Sequence, residues 1–397
     1  MKKQKNIPAL RFPEFSGEWE DKRLVEAGIN IIDGDRGSNY PNGTDFSSEG
    51  FCLFMNAKNV TKNGFSFAEK SFIAEEKDGE LRKGKLKRFD IVLTTRGSVG
   101  HIAYYDLSVP FEHLRINSGM VLLRIAKQEI STDYLYKYFT SNWIQKEISK
   151  ISFGSAQPQL TVGEIAKFKI KFPTFPEQQK IANFLTAVDE KLQALKKKKV
   201  LLEKYKKGVM QKIFSQELRF KDENGNDFAD WEVKRLGEAS RITTGKLDAN
   251  AMVKDGEYRF YTCAKDYFKI DKWAFDTEAL LVSGNGANVG YIHYYKGKFN
   301  AYQRTYVMDG FSDEIIYVKY FLDHFLSQRI DGEKKEGNTP YIVMSTLSEM
   351  SLNLPTLPEQ QKIANFLTSI DEKINQQQSQ IEKVSHYKKG LLQQMFC

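Results

Sequence analysis

The same eleven residues, PEQQKIANFLT, occur twice in this chain of 397 residues, at 176–186 and again at 358–368. The two occurrences lie 182 positions apart, and most of the sequence between them does not repeat. Constant segments that alternate with variable stretches are typical of tandem structural copies rather than of one large domain. The repeat therefore predicts that the chain folds as two related halves.

Weaker matches show how far each copy extends. WEDKRLVE at 19–26 matches WEVKRLGE at 231–238 with an offset of 212, whereas the offset is 182 at Tyr138 and Tyr320 and stays there to the C terminus. The first copy is therefore longer by about thirty residues, all of them before Tyr138. We expect each copy to hold a variable domain followed by a constant segment. The predicted bounds of these four regions are 1–172, 173–217, 218–354 and 355–397.

Each constant segment has the residue spacing of a long helix. Apolar residues recur mostly three and four positions apart, which is the heptad pattern of a coiled coil. In the first segment they are Ile181, Leu185, Val188, Leu192, Leu195 and Leu202. In the second they are Ile363, Leu367, Ile370, Ile374, Ile381, Val384, Leu391 and Met395, interrupted by Gln377 and Lys388. A helix from Glu177 to about Ile213 would extend about 55 Å at roughly 1.5 Å per residue.

The sequence also predicts where these helices begin and end. In both segments a Thr stands three residues before a Glu, the spacing of a capping box, and a Pro between them suits the first helical turn. These residues are Thr174, Pro176 and Glu177 in the first segment and Thr356, Pro358 and Glu359 in the second. Near the far ends, Gly208 and Gly390 either weaken the last turns or permit close packing there.

Connectivity limits how the two helices can pair. The first helix leaves one variable domain and arrives at the next, so a second helix that returns along it pairs antiparallel. The polar interruptions of the two helices do not coincide, because Lys199 corresponds to Ile381 and Leu195 corresponds to Gln377. A helix that pairs with a copy of itself would gain nothing from this difference. We therefore expect an antiparallel coiled coil with a pseudo-two-fold axis and one variable domain at each end. A parallel, dimer-forming coiled coil is the alternative.

The variable domains have the pattern of strand-rich, mixed α/β folds. Runs such as FDIVLTT at 89–95, GMVLLRI at 119–125 and RTYVMDG at 304–310 are rich in β-branched residues and bounded by Gly or charge. Each domain also holds a glycine-punctuated turn before a strand, TTRGSVG at 94–100 and SGNGANVG at 283–290. Glycine at such turns permits positive φ and the close approach of another backbone.

Composition narrows the class of function. Lys and Arg number 59 against 51 Asp and Glu, and this basic excess fits a polyanionic partner. Three widely spaced cysteines support neither a disulfide framework nor a zinc site. No run of eighteen apolar residues and no signal peptide occur, so we expect a soluble cytoplasmic protein. No nucleotide-binding or catalytic motif occurs either, because GNGANVG is not GxGxxG, and we expect no catalysis, cofactor or metal in this chain.

The helical segments and their alternation with variable domains resemble the specificity subunits of type I restriction-modification systems. In that family each helical region opens with Pro-x-x-x-Glu-Gln-x-x-Ile-Ala, and here the pattern falls at 173–182 and at 355–364. The resemblance covers essentially the whole chain. It implies that each variable domain reads one half of a split, asymmetric DNA sequence and that the coiled coil sets the separation of the halves.

The resemblance also implies the partners. Two methyltransferase subunits would supply S-adenosylmethionine and adenine methylation, and restriction subunits would use ATP and Mg for translocation and cleavage. Two other classes stay open: a non-catalytic coiled-coil scaffold that joins two protein-binding domains, and a fusion that has lost a catalytic part. The first predicts no salt-dependent DNA binding, and the second predicts a missing neighbouring segment.

Candidate DNA contacts are the side-chain types that bind base edges or phosphates, placed in loops and turns. A solvated tight turn is the alternative for each of the two glycine turns. The lysine run at 196–199 lies mid-helix, where a solvated face or a contact to a partner subunit is the better interpretation. The expected DNA contacts are Arg36, Asn39, Lys58, Lys62, Arg96, Ser98, Gln157, Lys246, Lys265, Asn285, Asn288, Arg304 and Asn338.

The role of the helix as a ruler is testable by insertion. Seven residues inserted near Gln193 preserve the heptad face and lengthen the helix by about 10 Å. We expect the spacer between the two halves of the methylated DNA sequence to grow, as measured by methylome sequencing. A methylated spacer of unchanged length would contradict a ruler role.

Overall fold

The structure, a computed structural model, describes residues 6–152, 159–333 and 341–396. The chain divides into two compact units, Met1–Leu195 with Gln380–Cys397 as unit one and Lys196–Ser379 as unit two. Each unit combines a strand-rich domain with parts of two long helices. The mixed α/β fold predicted from the sequence is confirmed, whereas the bounds of the four regions stay a prediction.

Unit one holds eleven strands and four short α-helices among its described residues, and the first long helix starts there. The strands are β1 (Glu20–Arg23), β2 (Ile29–Asp33), β3 (Cys52–Met55), β4 (Val60–Thr61), β5 (Gly64–Phe65), β6 (Phe72–Ile73), β7 (Ile91–Thr94), β8 (Ile102–Tyr104), β9 (Leu114–Ile116), β10 (Met120–Ile125) and β11 (Lys169–Phe172). The helices are α1 (Glu75–Glu80), α2 (Thr132–Phe139), α3 (Asn142–Ser152), α4 (Val162–Ala166) and the long α5 (Phe175–Phe214).

Unit two repeats this order with fewer strands among its described residues. The strands are β12 (Glu232–Arg235), β13 (Arg241–Thr244), β14 (Tyr258–Tyr261), β15 (Phe268–Ile270), β16 (Phe275–Ser283), β17 (Ile292–Ala301), β18 (Thr305–Asp309) and β19 (Ser351–Leu354). The helices are α6 (Leu236–Ala239), α7 (Ile315–Glu333), α8 (Met344–Ser348) and the long α9 (Leu357–Gln394).

The sheets of the two units share one plan. Unit one has the antiparallel order β2-β10-β7-β8, and unit two has β13-β18-β16-β17 in the same places. In unit two the ten-residue β17 runs on to pair in parallel with β14, so β14 and β15 belong to one six-stranded sheet. In unit one the equivalent stretch is interrupted between β8 and β9, and β9 pairs with β3 in a separate three-stranded sheet. The interruption therefore divides one sheet into two.

Both faces of the central strands are covered, which explains their unbroken apolar runs. In unit two, Leu280, Val282 and Met308 pack towards α7, whereas Leu281 and Val307 belong to a core on the opposite face. Strands that are buried on both faces are apolar throughout rather than alternating. Burial of each such side chain contributes about 1.5–3 kcal/mol to folding.

Within each unit the two long helices lie antiparallel. In unit one, Asp189 accepts from Lys388 at 2.6 Å, and Leu195, further along α5, packs against Ile381, which is earlier in α9. In unit two, Lys206, still further along α5, pairs at 2.7 Å with Asp371, which is still earlier in α9. The predicted antiparallel pairing is confirmed by these contacts. The 40 residues of α5 correspond to about 60 Å of helix.

The predicted capping boxes are wrong, although α5 and α9 begin where the sequence indicates. The Glu177 carboxylate accepts two hydrogen bonds from the Arg11 guanidinium, at 2.7 and 2.8 Å, and one from the Trp19 indole N–H at 3.3 Å. Glu359 repeats this arrangement with Arg219 and Trp231. Each carboxylate is fully buried. A bidentate guanidinium binds a carboxylate more strongly than a single backbone N–H does, so the Glu turns inward.

Three further helix features are settled by their surroundings. The Thr356 hydroxyl is buried without a hydrogen-bond partner, which agrees with the loss of its capping box. A Cβ added at Gly208 or Gly390 would meet no atom within 4 Å, so close packing does not explain these glycines. The Gln377 side chain is buried in unit two.

Among the described residues, no helix combines the length and the apolar character needed to cross a membrane.

The buried Glu–Arg pair predicts an asymmetric cost of substitution. Arg219→Leu leaves the fully buried Glu359 carboxylate without its cation, so we expect the free energy of unfolding to fall by about 3–5 kcal/mol. Glu359→Gln leaves a guanidinium that is 23% exposed, and we expect a smaller loss of about 1–3 kcal/mol. Urea denaturation followed by circular dichroism measures both.

The control is a surface pair of the same unit. Lys221 and Asp227 are 59% and 77% exposed, so Asp227→Asn should change the free energy of unfolding by less than about 1 kcal/mol. Equal losses for Arg219→Leu and Glu359→Gln would show that burial of the carboxylate does not decide the cost.

Candidate nucleic-acid interface

In unit one, the loops that follow four strands meet at one end of the sheets. Asp33 at the end of β2 pairs with Val121, and Thr94 at the end of β7 pairs with Met120, so both strands end where β10 begins. β3 and β9 run in parallel and also end there, because the Met55 carbonyl accepts from the Asn117 N–H at 3.2 Å. We call this the loop edge of unit one. It comprises residues 33–39, 56–62, 95–100 and 117–119, and Gln159 joins it through an isolated β-bridge to Arg96.

Unit two has an equivalent loop edge. The Arg304 carbonyl accepts from the Gly284 N–H at 2.8 Å, and the Leu247 carbonyl accepts from the Gln303 N–H at 2.9 Å. The Asn288 side chain donates to the Cys263 carbonyl at 3.0 Å, which ties the loop after β14 to the loop after β16. The loop edge of unit two comprises residues 245–248, 262–266, 284–290 and 302–304, with Tyr341 bridged to Asn285.

The two glycine turns occupy matching positions. Arg96 bridges Gln159 and Asn285 bridges Tyr341, one pair in each unit. Both turns end in a glycine with positive φ, +87° at Gly100 and +81° at Gly290. A Cβ would approach Ile148 to 2.9 Å at the first and Ile330 to 2.8 Å at the second. Only glycine meets both the conformation and the close approach, so each turn is fixed against a helix of its own unit.

Five of the predicted contact residues are exposed cations at these edges. Their side chains form no ion pair within the described ranges 6–152, 159–333 and 341–396. Exposed cations without an ion-pair partner are available to bind polyanions. They are Lys62 and Arg96 in unit one and Lys246, Lys265 and Arg304 in unit two.

Other predicted residues lie at the edges but are engaged with the protein. Arg36 donates to Asp33 at 3.3 Å and to the Ser118 carbonyl at 3.2 Å, and Asn39 donates to the Glu80 carbonyl at 3.5 Å. Lys58 pairs with Glu69 at 2.9 Å, with both side chains more than 60% exposed. An exposed pair contributes only about 0–1 kcal/mol, so Lys58 can exchange Glu69 for a phosphate at little cost.

The remaining predicted residues divide by exposure. Ser98 is exposed on the first turn, whereas Asn285 and Asn288 are half-buried on the second. Gln157 and Asn338 lie outside the described residues. Their neighbours along the chain, Gln159 and Tyr341, are at the loop edges.

Sequence reasoning missed three exposed residues at these edges. Tyr341 is 59% exposed beside Asn285, and its only sequence signal is a lone aromatic in a polar stretch. Arg82 and Lys83 reach the loop edge of unit one, because their backbone N–H groups donate to Asp35 at 2.7 and 3.4 Å. The basic run LRKGKLKR at 81–88 was the available signal for these two.

The local electrostatics stabilise the loops rather than create reactive groups. The Gly37 N–H, together with those of Arg82 and Lys83, lowers the pKa of Asp35 below its ordinary value despite burial. Burial lowers the pKa of His293, whose Nε2 lies 3.0 Å from the Ala264 carbonyl. His293 is therefore neutral near pH 7 and anchors the loop after β14. Within the described part of the chain, no cluster of His, Cys, Asp or Glu could hold a metal ion.

Comparison with known proteins identifies the family. The profile described as "Type I restriction modification DNA specificity domain" matches residues 17–204 and 229–384. The chain is 26% identical over 332 residues to the type I restriction enzyme MjaIX specificity subunit of Methanocaldococcus jannaschii, covering 76% of this chain and 75% of that protein. It is 38% identical over 155 residues to the EcoDI specificity subunit of Escherichia coli, a match that spans 39% of this chain and only 34% of that protein.

A solved structure supports the fold. The crystal structure of a type I restriction-modification S subunit from M. genitalium aligns with a TM-score of 0.65 at 16% identity, covering 98% of this chain and 99% of that one. A likeness at this identity speaks for the fold alone, whereas the profile match covers most of the sequence. The chain therefore belongs to the specificity subunits of type I restriction-modification systems.

Proposed function

We propose that this chain is the DNA-reading subunit of a type I restriction-modification complex and that each loop edge contacts one half of a bipartite, asymmetric DNA target. The observation that carries the proposal is the pair of equivalent loop edges, each with exposed cations around a glycine turn. The two edges have the same framework but different side chains, with Arg96 on one turn and Asn285 at the same place on the other. Such a pair suits two different half-sequences.

The side chains suggest a division of labour at each edge. Exposed lysines such as Lys62, Lys246 and Lys265 bind phosphates, which positions the protein without reading sequence. Arg96 and Arg304 have the bidentate geometry that suits guanine, and the amide of Asn285 suits adenine. Ser98 and Asn288 are further base-edge or phosphate contacts on the same turns. Gln157 and Asn338 are proposed contacts on sequence grounds alone.

The long helices supply a surface for partner subunits. Three large side chains on α5 are about half exposed: Val200 at 48%, Leu201 at 55% and Tyr205 at 54%. The apolar side chains of an amphipathic helix normally face a core, so an exposed group of them indicates a surface for a partner. We assign this surface to methyltransferase subunits, two per complex, with a restriction subunit joining for cleavage. S-adenosylmethionine, ATP and Mg belong to those partners, and this chain is a non-catalytic member of the complex.

Exchange of one variable domain tests the proposal. Replacement of residues 19–172 by the first variable domain of another specificity subunit should change one half of the methylated sequence and leave the other half intact. Methylome sequencing of the exchanged strain measures this, with the parent strain as control. A change in both halves would show that the units do not read DNA independently.

A single residue tests the readout at the first turn. If Arg96 binds guanine through two hydrogen bonds, Arg96→Ala should weaken cognate binding by about 1–3 kcal/mol and relax selectivity at one base pair. Affinities for the cognate duplex and its single-base variants, measured across a salt series, report this. Arg23→Ala is the control, since Arg23 is an exposed arginine on β1.

Two other outcomes for Arg96→Ala are informative. Weaker binding to every duplex, with a salt slope smaller by about one unit, would make Arg96 a phosphate contact. Unchanged affinity and selectivity would reduce the turn to a structural element. Absence of any salt-dependent DNA binding by the parent protein would favour a protein-binding scaffold instead.

A further inference from the structure

The interval that accounts for most of the extra length of the first copy contains a basic run. The offset between copies is 207 at Ala57 and Ala264 but 189 at Thr94 and Ser283, so more than half of the added residues lie in this interval. The interval contains LRKGKLKR at 81–88, in which five of eight residues are cations. At the same offset of 189, the second copy has IDKWAFDT at 270–277, which holds one cation and two carboxylates.

Two buried carboxylates hold the start of this run. Asp35, only 6% exposed, accepts from the N–H groups of Arg82 and Lys83 as well as from Gly37. Asp78, 3% exposed, accepts from the Arg115 guanidinium at 2.7 Å and from the Lys85 ammonium. Burial raises the pKa of Asp78, but the hydrogen bonds from Lys85 and Arg115 lower it by more, so the carboxylate stays charged.

The backbone of the run is fixed in register with β9. The Gly84 carbonyl accepts from the Ile116 N–H at 2.9 Å, and the Leu86 N–H donates to the Leu114 carbonyl at 2.9 Å. The run is thus antiparallel to β9, and residues 82–83 come to the loop edge while residues 87–88 come to the opposite end. Gly84 has a φ of +87°, and a Cβ there would lie 3.3 Å from the Cα of Gly34.

The side chains of Arg82 and Lys83 are exposed, although the backbone that carries them is held. The Arg82 side chain is 78% exposed and reaches Asp35 only at 3.9 Å. Lys83 is exposed and makes no ion pair in the part of the chain that the structure describes. Buried ion pairs add little stability by themselves, whereas a backbone held rigid loses less conformational entropy when its side chains bind a ligand. The arrangement fits two cations that are preorganised for an anionic surface.

We infer that Arg82 and Lys83 form a phosphate-binding strip through which unit one contacts the DNA backbone beside its half-site. This inference rests on the proposed function and deepens it. Because phosphate contacts carry no sequence information, the strip sets affinity and its salt dependence rather than the sequence that is read. The corresponding positions of the second copy are Asp271 and Lys272, so the two units contribute unequally to phosphate binding.

The salt dependence of binding tests the strip. Each phosphate contact contributes about 0.9 to the slope of log K against log salt, so Arg82→Gln with Lys83→Gln should reduce the slope by about 1.8. The probe is a fluorescein-labelled duplex of mixed sequence and about 30 base pairs, which is the size of a typical protein-binding site on DNA. Fluorescence anisotropy with the full chain gives K at each salt concentration.

A matched double variant controls for overall charge. Lys87 and Lys127 are exposed, lie at the opposite end of the sheet and form no ion pair among the described residues. Lys87→Gln with Lys127→Gln removes the same charge, and we expect the parental slope. Arg82→Lys with Lys83→Arg keeps both charges at the edge, and we expect the parental slope there as well.

The outcomes separate the inference from the proposed function. If the parent protein binds with salt dependence but the two double Gln variants share one slope, the strip is overturned and the proposed function stands. If the parent protein shows no salt-dependent binding, both fail. A methylated sequence that changes in the Arg82→Gln, Lys83→Gln strain would also overturn the strip, because phosphate contacts do not select bases.

Discussion

Within each unit, a buried carboxylate at the start of the long helix ties that helix to the strand-rich domain. Glu177 accepts hydrogen bonds from the Arg11 guanidinium and from the indole N–H of Trp19, both of which precede β1. The next residue, Gln178, accepts from the Ser131 N–H at 3.0 Å and donates to the Pro173 carbonyl at 2.9 Å. Glu359 and Gln360 make the corresponding bonds in unit two. Because buried polar groups need all these partners at once, the helix start, the preceding segment and the domain are fixed as one body, and the repeated segment has little freedom to vary.

The two units differ in sequence at the loop edges, which these buried hydrogen bonds do not involve. The cores beneath the sheets have the same plan in both units, whereas loop length and loop chemistry differ at the loop edges. In unit one the interruption between β8 and β9 divides a sheet, and hydrogen bonds to Asp35 hold Arg82 and Lys83 at the edge. In unit two the equivalent strands stay in a single sheet, and Tyr341 is exposed beside the turn. A common frame with different edges is what two unlike half-sequences require.

The long helices and their antiparallel pairing could be predicted from the sequence. The heptad spacing predicts both helices, because that signal lies within each segment, and the mismatch between Gln377 and Leu195 favours antiparallel pairing. The partner of Glu177 could not be predicted, since Arg11 is 166 positions away and a local Thr offered a plausible cap. The placement of Arg82 likewise depends on Asp35, 47 positions earlier. Charge and glycine patterns identify which residues are available, but only long-range hydrogen bonds decide which loops meet.

The central claim is that the two loop edges read different halves of one DNA target, and site-specific crosslinking tests it most directly. A photo-crosslinking amino acid placed at Ser98 or at Ala287, both exposed on the glycine turns, can be mapped on a duplex that carries the methylated sequence. The account predicts that the Ser98 probe reacts within one half-site and the Ala287 probe within the other. Reaction of both probes with the same half, or no reaction above that of a probe at exposed Lys167, would contradict it.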